Sequence, residues 1–328
     1  MDSLIERFPA QLVEALEIGA NATINAHDKT INKIYVAGLG GSGIGGNFAQ
    51  EFVKDECKVP YVGGKGYEIP AWVDANTLAI ISSYSGNTEE TLNAFGLIQK
   101  TGAKIVCLAS GGKLIEAAKE KGYDYIKLPD DWPSPRACLG FSMTQQIVVL
   151  NKLGLISDKA IQQIKKSVDL IKFNQDEIKK EAKEIANFFI NKMPIIYTTD
   201  RMEAVAIRLR QQINENAKML CWHHVIPEMN HNEVLGWGIE DDKFAVLYFR
   251  NEDDFRRNKV RMDINKKIIS KYTPNIKEVW SKGNSLVERA IYFVNLGDWV
   301  SWYLSELRGV DAVEIDVINY LKGELAKI

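Results

Sequence analysis

Cysteine is scarce in this sequence, and long apolar runs are absent from it. The chain has 4 cysteines, Cys57, Cys107, Cys138 and Cys221, and no CxxC pair. Such scattered thiols favour a reducing compartment over a disulfide framework or a zinc knuckle. No apolar run approaches the roughly 20 residues that cross a membrane, and the N-terminal MDSLIERFPAQL lacks the basic and apolar regions of a signal peptide. We therefore expect a cytoplasmic protein.

An excess of either charge is also missing. The 328 residues include 41 Lys and Arg against 43 Asp and Glu, a formal net charge of -2. This balance argues against general binding to nucleic acids or membranes, so any anion site must be local. The composition, 46% hydrophobic and 26% charged, is typical of globular proteins. At this length we expect two domains of ordinary size.

Short apolar runs alternate with helical patterns along the chain, which predicts parallel sheets covered by helices. A charged helical stretch, from Ser157 to just before Pro194 with a break near Phe173–Asn174, separates two groups of strands. The expected fold class is α/β, with two doubly wound parallel-sheet domains flanked by helices, at residues 1–153 and 154–328. The predicted strands are Lys33–Ala37, Val59–Val62, Leu78–Ile81, Lys104–Leu108, Tyr125–Leu128, Pro194–Tyr197, Leu220–Val225, Phe244–Phe249 and Ile276–Trp280.

The stretch TLAIISSYSGNTEET, from Thr77 to Thr91, has the composition of an anion-binding turn. An apolar run suited to a buried strand leads through hydroxyl residues and a glycine into a helical pattern, with Thr88 at the N-cap position. Hydroxyls and free N–H groups at a helix N-terminus favour a phosphate. Glu89 and Glu90 must then point away from it. The alternative is an ordinary βα turn, since Ser, Gly, Asn and Thr are common turn residues.

A second glycine-rich turn, GLGGSGIGG from Gly38 to Gly46, follows a predicted strand and precedes a helix. It satisfies GxGxxG, the dinucleotide-binding fingerprint. That fingerprint also requires an acid at the end of the second strand, where this chain has VGGKG and its first acid is Glu68. A sugar phosphate, approached by backbone and by the Ser42 hydroxyl, is therefore favoured over a nicotinamide cofactor. In a doubly wound sheet both turns lie at the C-terminal edge, where ligands bind.

Three of the 4 histidines lie near acidic residues between Gln211 and Glu233. A predicted helix carries Glu215 between two asparagines whose amides could orient its carboxylate. The plain alternative is a surface carboxylate on a helix. A metal site is a second alternative, because His and Glu side chains are common metal ligands. However, the adjacent His223 and His224 would point to opposite sides of a strand, and no helical HxxxH is present.

Together these motifs resemble the bifunctional phosphoglucose/phosphomannose isomerases, which are built from two sugar-isomerase (SIS) domains. The resemblance covers almost the whole chain, through GLGGSGIGG, SSYSGNTEET, PSPRACLG, NENAK, NHNE and the terminal NYLK. The first two motifs recur across SIS proteins and specify only the domain. NENAK with NHNE at this spacing, after PRA, is much more specific to the bifunctional isomerases.

The resemblance implies roles for particular residues. Glu215 would move a proton between C1 and C2 of the sugar, and Arg136 would stabilise the enediolate. His231 would open the sugar ring, and Lys322 would assist at the ring oxygen or its neighbouring hydroxyl. The implied phosphate clamp consists of Ser42, Ser83, Ser85 and Thr88, with the Gly41 backbone close to the substrate.

The activity implied is the interconversion of fructose 6-phosphate with glucose 6-phosphate and mannose 6-phosphate, without metal or redox cofactor. The resemblance also implies a homodimer whose active site forms at the subunit interface, with a ring-opening histidine that can come from the partner. Two rival hypotheses stay open at this point. One is a non-catalytic SIS module that senses a phosphosugar, and the other is an isomerase or deaminase of amino-sugar phosphates.

Overall fold

The computed structural model describes residues 1–327, which form two compact units. The N-terminal unit consists of residues 6–173 and 283–291, and the C-terminal unit of residues 1–5, 174–282 and those from 292 onward. The chain begins with a short helix, α1 (Asp2–Glu6). The division into domains at residues 153/154 stays a prediction, although the two sheets do lie on either side of that point.

The N-terminal unit contains a five-stranded sheet of order β2-β1-β3-β4-β5, in which every neighbouring pair is parallel. The order reverses between β1 and β3, as in a doubly wound sheet. Its strands are β1 (Lys33–Ala37), β2 (Tyr61–Gly64), β3 (Thr77–Ser82), β4 (Lys104–Ala109) and β5 (Asp124–Lys127). Its helices are α2 (Phe8–Asn21), α3 (Gly40–Val53), α4 (Glu89–Ile98), α5 (Gly112–Lys121) and α6 (Leu139–Lys152).

The core of this unit explains why these strands form. All six residues of β3 are buried, as expected for a central parallel strand covered on both faces. Helix α6 is buried along its length from Leu139 to Leu150 and packs against α2 and α3. A Cβ on Gly45 of α3 would lie 2.2 Å from the Ser142 Oγ of α6, so only glycine permits this close helix approach.

The C-terminal unit contains a four-stranded parallel sheet of order β7-β6-β8-β9. Its strands are β6 (Met193–Thr199), β7 (Trp222–Ile226), β8 (Phe244–Arg250) and β9 (Ile276–Trp280). The remaining helices are α7 (Lys159–Phe189), α8 (Glu203–Ala217), α9 (Arg256–Ile269), α10 (Leu286–Arg308) and α11 (Asp316–Leu325), of which α7 and α10 contribute residues to both units. The two parallel sheets with alternating helices confirm the predicted α/β fold class.

One prediction about the helices was wrong. The expected break near Phe173–Asn174 does not occur, because α7 is one continuous helix of 31 residues. Phe173 is 90% exposed, whereas Asn174 is buried and its Oδ1 accepts a hydrogen bond of 3.0 Å from Lys282 Nζ. An exposed aromatic beside a buried amide reverses the usual pattern, so hydrophobic periodicity fails there although the helix continues.

A smaller difference concerns the glycine-rich turn that follows β1. The stretch predicted as a turn, Gly38 to Gly46, is mostly helix, since α3 begins at Gly40. Gly40 itself has a positive φ of 52°, a conformation that glycine adopts at little cost and that allows the abrupt change from strand to helix. No helix described between residues 1 and 327 is long and apolar enough to span a membrane.

Candidate active site

The point where the strand order reverses is the usual ligand position in a doubly wound sheet, because the crossovers on its two sides diverge and leave a crevice. In the N-terminal unit this point lies between the carboxyl ends of β1 and β3, which are neighbours in register from Lys33–Thr77 to Ala37–Ile81. The chain leaves β1 at Gly38 and β3 at Ser83. The two turns identified in the sequence therefore lie side by side.

Hydroxyl groups from both turns meet at this edge. Ser83 Oγ and Thr88 Oγ1 are 2.8 Å apart and share a hydrogen bond, while Ser42 Oγ, from α3, accepts one of 3.2 Å from the Tyr84 backbone N–H. Ser85 is exposed, and its Oγ accepts from the Asn87 N–H at 3.2 Å within its own turn. The structure thus places Ser42 beside the Ser83–Thr88 pair, with Ser85 at the tip of the same turn.

The first turn of α4 adds backbone donors. Thr88 occupies the N-cap position, as predicted, but its hydroxyl bonds to Ser83 and makes no capping bond to the helix. The leading N–H groups of α4 thus receive no side-chain cap from Thr88, and together with the helix dipole they favour an anion. Glu89 is exposed and its Oε1 accepts a hydrogen bond of 3.3 Å from Tyr67. Its charge is therefore directed to the surface, as a phosphate site requires.

Arg136 lies in a short 3₁₀ turn, Pro135–Ala137, and is only 7% exposed. The turn is fastened to the core by Gln11, whose Nε2 donates to the Ala137 carbonyl at 2.8 Å and whose Oε1 accepts from the Gly140 N–H at 2.8 Å. A Cβ on Gly41 would lie 3.3 Å from the Pro135 carbonyl oxygen. The start of α3 and the Arg136 turn are thus in direct contact.

Tyr84 connects these features, although sequence reasoning assigned it no role. Its N–H reaches Ser42, and its carbonyl accepts hydrogen bonds from the N–H and Oγ of Ser110 at 2.8 and 2.7 Å. Its hydroxyl donates to the Pro129 carbonyl at 2.8 Å, at the start of the loop that carries Arg136. The sequence pointed to Tyr84 only through its position among the serines of the turn, because all of its hydrogen-bond partners named here are distant in the chain.

In the C-terminal unit, Glu215 lies in the last turn of α8 and is half-buried. It lines a pocket of about 340 Å³ together with Lys218 and the first residues of α11. Lys218 Nζ donates to the Glu215 carbonyl at 2.7 Å and to the Glu314 carbonyl at 2.8 Å, so it fastens the end of α8 to the start of α11. Lys218 is another residue whose role only the structure shows.

The two asparagines beside Glu215 hold the helix end in place. Asn214 Nδ2 donates to the Met219 carbonyl at 2.7 Å, and Asn216 Nδ2 donates to Ser301 Oγ of α10 at 2.9 Å. Asn216 is fully buried, whereas Asn214 is exposed. These Nδ2 groups therefore fix the backbone that carries Glu215.

Lys322 lies on α11, which is exposed along its whole length. Residues 315, 318 and 322 are spaced three and four apart and so share one face of the helix. Ile315 and Ile318 line the Glu215 pocket, which places Lys322 on the same face one turn further along. Helix α11 also exposes apolar side chains: Val317, which lines the same pocket, is 81% accessible, Tyr320 71% and Leu321 58%.

His231 is exposed and ends a 3₁₀ turn, Glu228–His231, that follows β7. His223 and His224 are successive residues of β7 and so face opposite sides of the sheet, as predicted. Burial, then the charges of Arg210 and His224, lower the pKa of His223 to about 4. Among residues 1–327, no three His, Cys, Asp or Glu side chains come together as ligands for a metal ion.

The corresponding edge of the second sheet is closed by its own polar groups. Between the ends of β6 and β8, Asp254 accepts hydrogen bonds from Thr199 Oγ1 and from the Asn251 N–H, both at 3.0 Å. A carboxylate in this position would repel a phosphate. The residues predicted to bind the phosphate and the enediolate lie in the N-terminal unit, which carries Gly41, Ser42, Ser83, Ser85, Thr88 and Arg136, while the C-terminal unit carries Glu215, His231 and Lys322.

Comparison with known proteins identifies this combination. A model of the bacterial phospho-glucose isomerase C-terminal SIS domain matches residues 178–325. The bifunctional phosphoglucose/phosphomannose isomerase of Caldicellulosiruptor bescii is 39% identical over 99% of this chain and 98% of its own length. That of Aquifex aeolicus is 39% identical over 90% of both proteins.

Among solved structures, the C-terminal domain of glucosamine-fructose-6-phosphate aminotransferase from Francisella tularensis has a TM-score of 0.74. The match covers 95% of this chain and 97% of that one at 12% identity, so it concerns the fold alone. The fold and the relatives together confirm the resemblance read from the motifs. The chain belongs to the bifunctional phosphoglucose/phosphomannose isomerase family.

Proposed function

We propose that this protein interconverts fructose 6-phosphate with glucose 6-phosphate and mannose 6-phosphate through an enediol intermediate. Membership of the family makes it a sugar-phosphate isomerase. The observation that carries the proposal is the place of Glu215, a half-buried carboxylate in the last turn of α8 that lines a pocket. The helix dipole disfavours a negative charge at this position, so the carboxylate costs the fold some stability. Such a cost is expected of a residue that serves the reaction and not the fold.

The phosphate common to the three sugars is the proposed ligand of the N-terminal unit. The hydroxyls of Ser42, Ser83, Ser85 and Thr88 donate to its oxygens, and the leading N–H groups of α4 stabilise its charge. The Gly41 backbone approaches the substrate because no side chain intervenes. Recognition through the phosphate leaves C1 and C2 free to react and treats the three sugars alike.

Glu215 is the proposed general base. It removes the proton from C2 of the aldose or from C1 of the ketose, and returning that proton to the other carbon completes the reaction without an external oxidant or reductant. Glucose and mannose 6-phosphates differ only in configuration at C2, so both give the same enediol. One base can therefore serve both substrates, provided that the proton is delivered to either face of C2.

The other predicted residues take the remaining steps. Arg136, charged at every working pH, stabilises the enediolate. The ring must open before C1 and C2 can exchange a proton, and His231 is the proposed group for this step because imidazole gains and loses protons near neutrality. Lys322 is the proposed aid at the ring oxygen or its neighbouring hydroxyl.

A direct test is a coupled assay of the purified protein with each aldose phosphate, repeated in D₂O. We expect both aldoses to be consumed and solvent deuterium to enter C1 or C2 of the product, because an enediol exchanges its proton with solvent. A protein that binds the phosphates without turnover would instead be a sensor. Release of ammonia from glucosamine 6-phosphate would favour the amino-sugar alternative.

We further propose that the enzyme acts in the cytoplasm as a homodimer with a shared active site. All 4 cysteines are free thiols, as in a reducing compartment. The exposed apolar side chains of α11, on the helix that carries Lys322, offer a surface for a second copy. Light scattering should then show a dimer.

Mixing two inactive variants tests whether the site is shared. If His231 acts in the partner's site, subunits carrying Glu215→Gln and His231→Ala form mixed dimers in which one of the two sites is intact. Random exchange of subunits should then restore about a quarter of wild-type activity. If His231 acts beside its own Glu215, every site keeps one defect and no activity returns.

A further inference from the structure

The segment that carries His231 is fastened to the C-terminal unit at two points, one on each side of the histidine. Two residues before it, Met229 is fully buried in the core cluster that contains Tyr197 and Met262. Two residues after it, Glu233 turns its side chain back toward β6 and β7. His231 itself is exposed between these two anchors. Its position therefore depends on how firmly both are held.

The Glu233 anchor is a carboxylate surrounded by hydrogen-bond donors. The Tyr197 hydroxyl of β6 donates to Oε1, and the Trp222 indole N–H of β7 donates to Oε2 at 2.8 Å. His224 Nδ1 accepts the Val225 N–H at 2.8 Å, which directs the ring's other nitrogen, Nε2, to within 4.0 Å of Oε2. Both carboxylate oxygens are thus engaged by fixed groups on two strands.

The donors are themselves oriented. Trp237 Nε1 donates to the Tyr197 hydroxyl at 3.1 Å, so the tyrosine oxygen accepts from one side and gives its own proton to Glu233. The local backbone is also fixed, since the Glu233 N–H donates to Asn232 Oδ1 at 2.6 Å and Asn232 Nδ2 donates to Glu228. In this arrangement both side-chain oxygens of residue 233 accept a hydrogen bond, as the two oxygens of a carboxylate can.

We infer that Glu233 is a positioning residue that holds His231 for opening of the sugar ring. The inference rests on the proposed function and assigns Glu233 no contact with substrate. A glutamine at this position has one acceptor oxygen and a donating amide, so if the oxygen accepts from Trp222, the Tyr197 hydroxyl can no longer donate to the side chain of residue 233. The anchor would loosen while the side chain kept its size. Displacement of a reacting group by about 1 Å can cost on the order of 100-fold in rate.

The experiment compares a sugar that closes into a ring with one that cannot. Fructose 6-phosphate is the closing substrate, and 5-deoxyfructose 6-phosphate lacks the hydroxyl that forms its ring. We expect Glu233→Gln to lower kcat for fructose 6-phosphate by about 10- to 100-fold with little change in KM, and to leave turnover of the deoxy analogue unchanged. His231→Ala should show the same selectivity, more strongly.

Three further variants separate positioning from folding. Tyr197→Phe removes one donor to Glu233. It should change the ratio of the rates for the two substrates in the same direction as Glu233→Gln does, but by a smaller factor. Glu240→Gln replaces an exposed acid between the His231 segment and β8 and should leave the ratio unchanged. Adding Glu233→Gln to His231→Ala should not change the ratio further, because both act on one step.

The outcomes distinguish this inference from the proposed function. The ratio of rates is independent of the amount of folded enzyme, so partial unfolding lowers both rates and leaves the ratio intact. If wild-type protein isomerises neither substrate, the proposed function fails. If it isomerises both, but Glu233→Gln keeps the wild-type ratio, then Glu233 only supports the fold and the inference is overturned.

Discussion

Replacing Glu215 with glutamine separates the chemical role of this residue from its structural role. Glutamine matches glutamate in size and nearly in helix propensity, but it cannot accept the substrate's proton. The hydrogen bonds from Lys218 go to the backbone carbonyls of Glu215 and Glu314, so the substitution leaves both of them intact. The buried Asn216–Ser301 bond is likewise unaffected.

The structure predicts opposite effects on rate and on stability. Loss of a general base typically lowers kcat by about 10²- to 10⁴-fold, or about 3 to 5.5 kcal/mol in the barrier. A negative charge in the last turn of α8 opposes the helix dipole, so its removal should stabilise the fold by up to about 1 kcal/mol. A variant that is much slower and at least as stable is therefore expected. KM should change little, because phosphate recognition is untouched.

Glu203 provides a matched control on the same helix. It is exposed in the first turn of α8, where a negative charge favours the dipole. Glu203→Gln should lower the melting temperature slightly and leave kcat unchanged, the reverse of the pattern at residue 215. Steady-state rates with both aldose phosphates and thermal unfolding of the three proteins make the comparison. Wild-type kcat in Glu215→Gln would refute the proposed mechanism even though the fold is right.

Three other predictions concern the rest of the molecule. The double variant Ser83→Ala, Thr88→Ala should fold normally but have a strongly raised KM, because each hydrogen bond lost to a charged phosphate costs roughly 1.5–3 kcal/mol. An unchanged KM would show that this pair does not bind the phosphate. Activity should survive exhaustive EDTA treatment and need no added nicotinamide cofactor, whereas loss on chelation and recovery with zinc would indicate a metal site. His223 has a pKa lowered to about 4 in the fold, so the unfolded chain takes up its proton first as the pH falls from about 6.5. Stability should therefore decline between these values, less so in His223→Gln, and NMR titration of the His223 ring should show the low midpoint.

Local patterns were sufficient to predict the two sheets, and they also single out the turns proposed to bind an anion. Buried parallel strands are short continuous apolar runs, and β3 lies within one residue of its predicted bounds on each side. Glycines and hydroxyls after β1 and β3 indicate ligand-binding turns because the chemistry of each turn resides in consecutive residues. The resemblance to a family supplied the roles of Glu215, His231, Lys322 and Arg136, which no local pattern would assign.

The arrangement that surrounds these residues depends on contacts between distant parts of the chain. Tyr84 joins the turn after β3 to the loop that carries Arg136, Lys218 joins α8 to the start of α11, and Glu233 joins the His231 segment to two strands. The continuity of α7 through Phe173 is another such case, since packing of its buried face outweighs the local signal. The sequence alone determined which elements form and which turns are candidates to bind an anion, because hydrophobic period, capping and turn chemistry act between near neighbours. Only the tertiary structure decided which polar groups support the reactive ones, because a hydrogen bond across the fold leaves no periodic trace in the sequence.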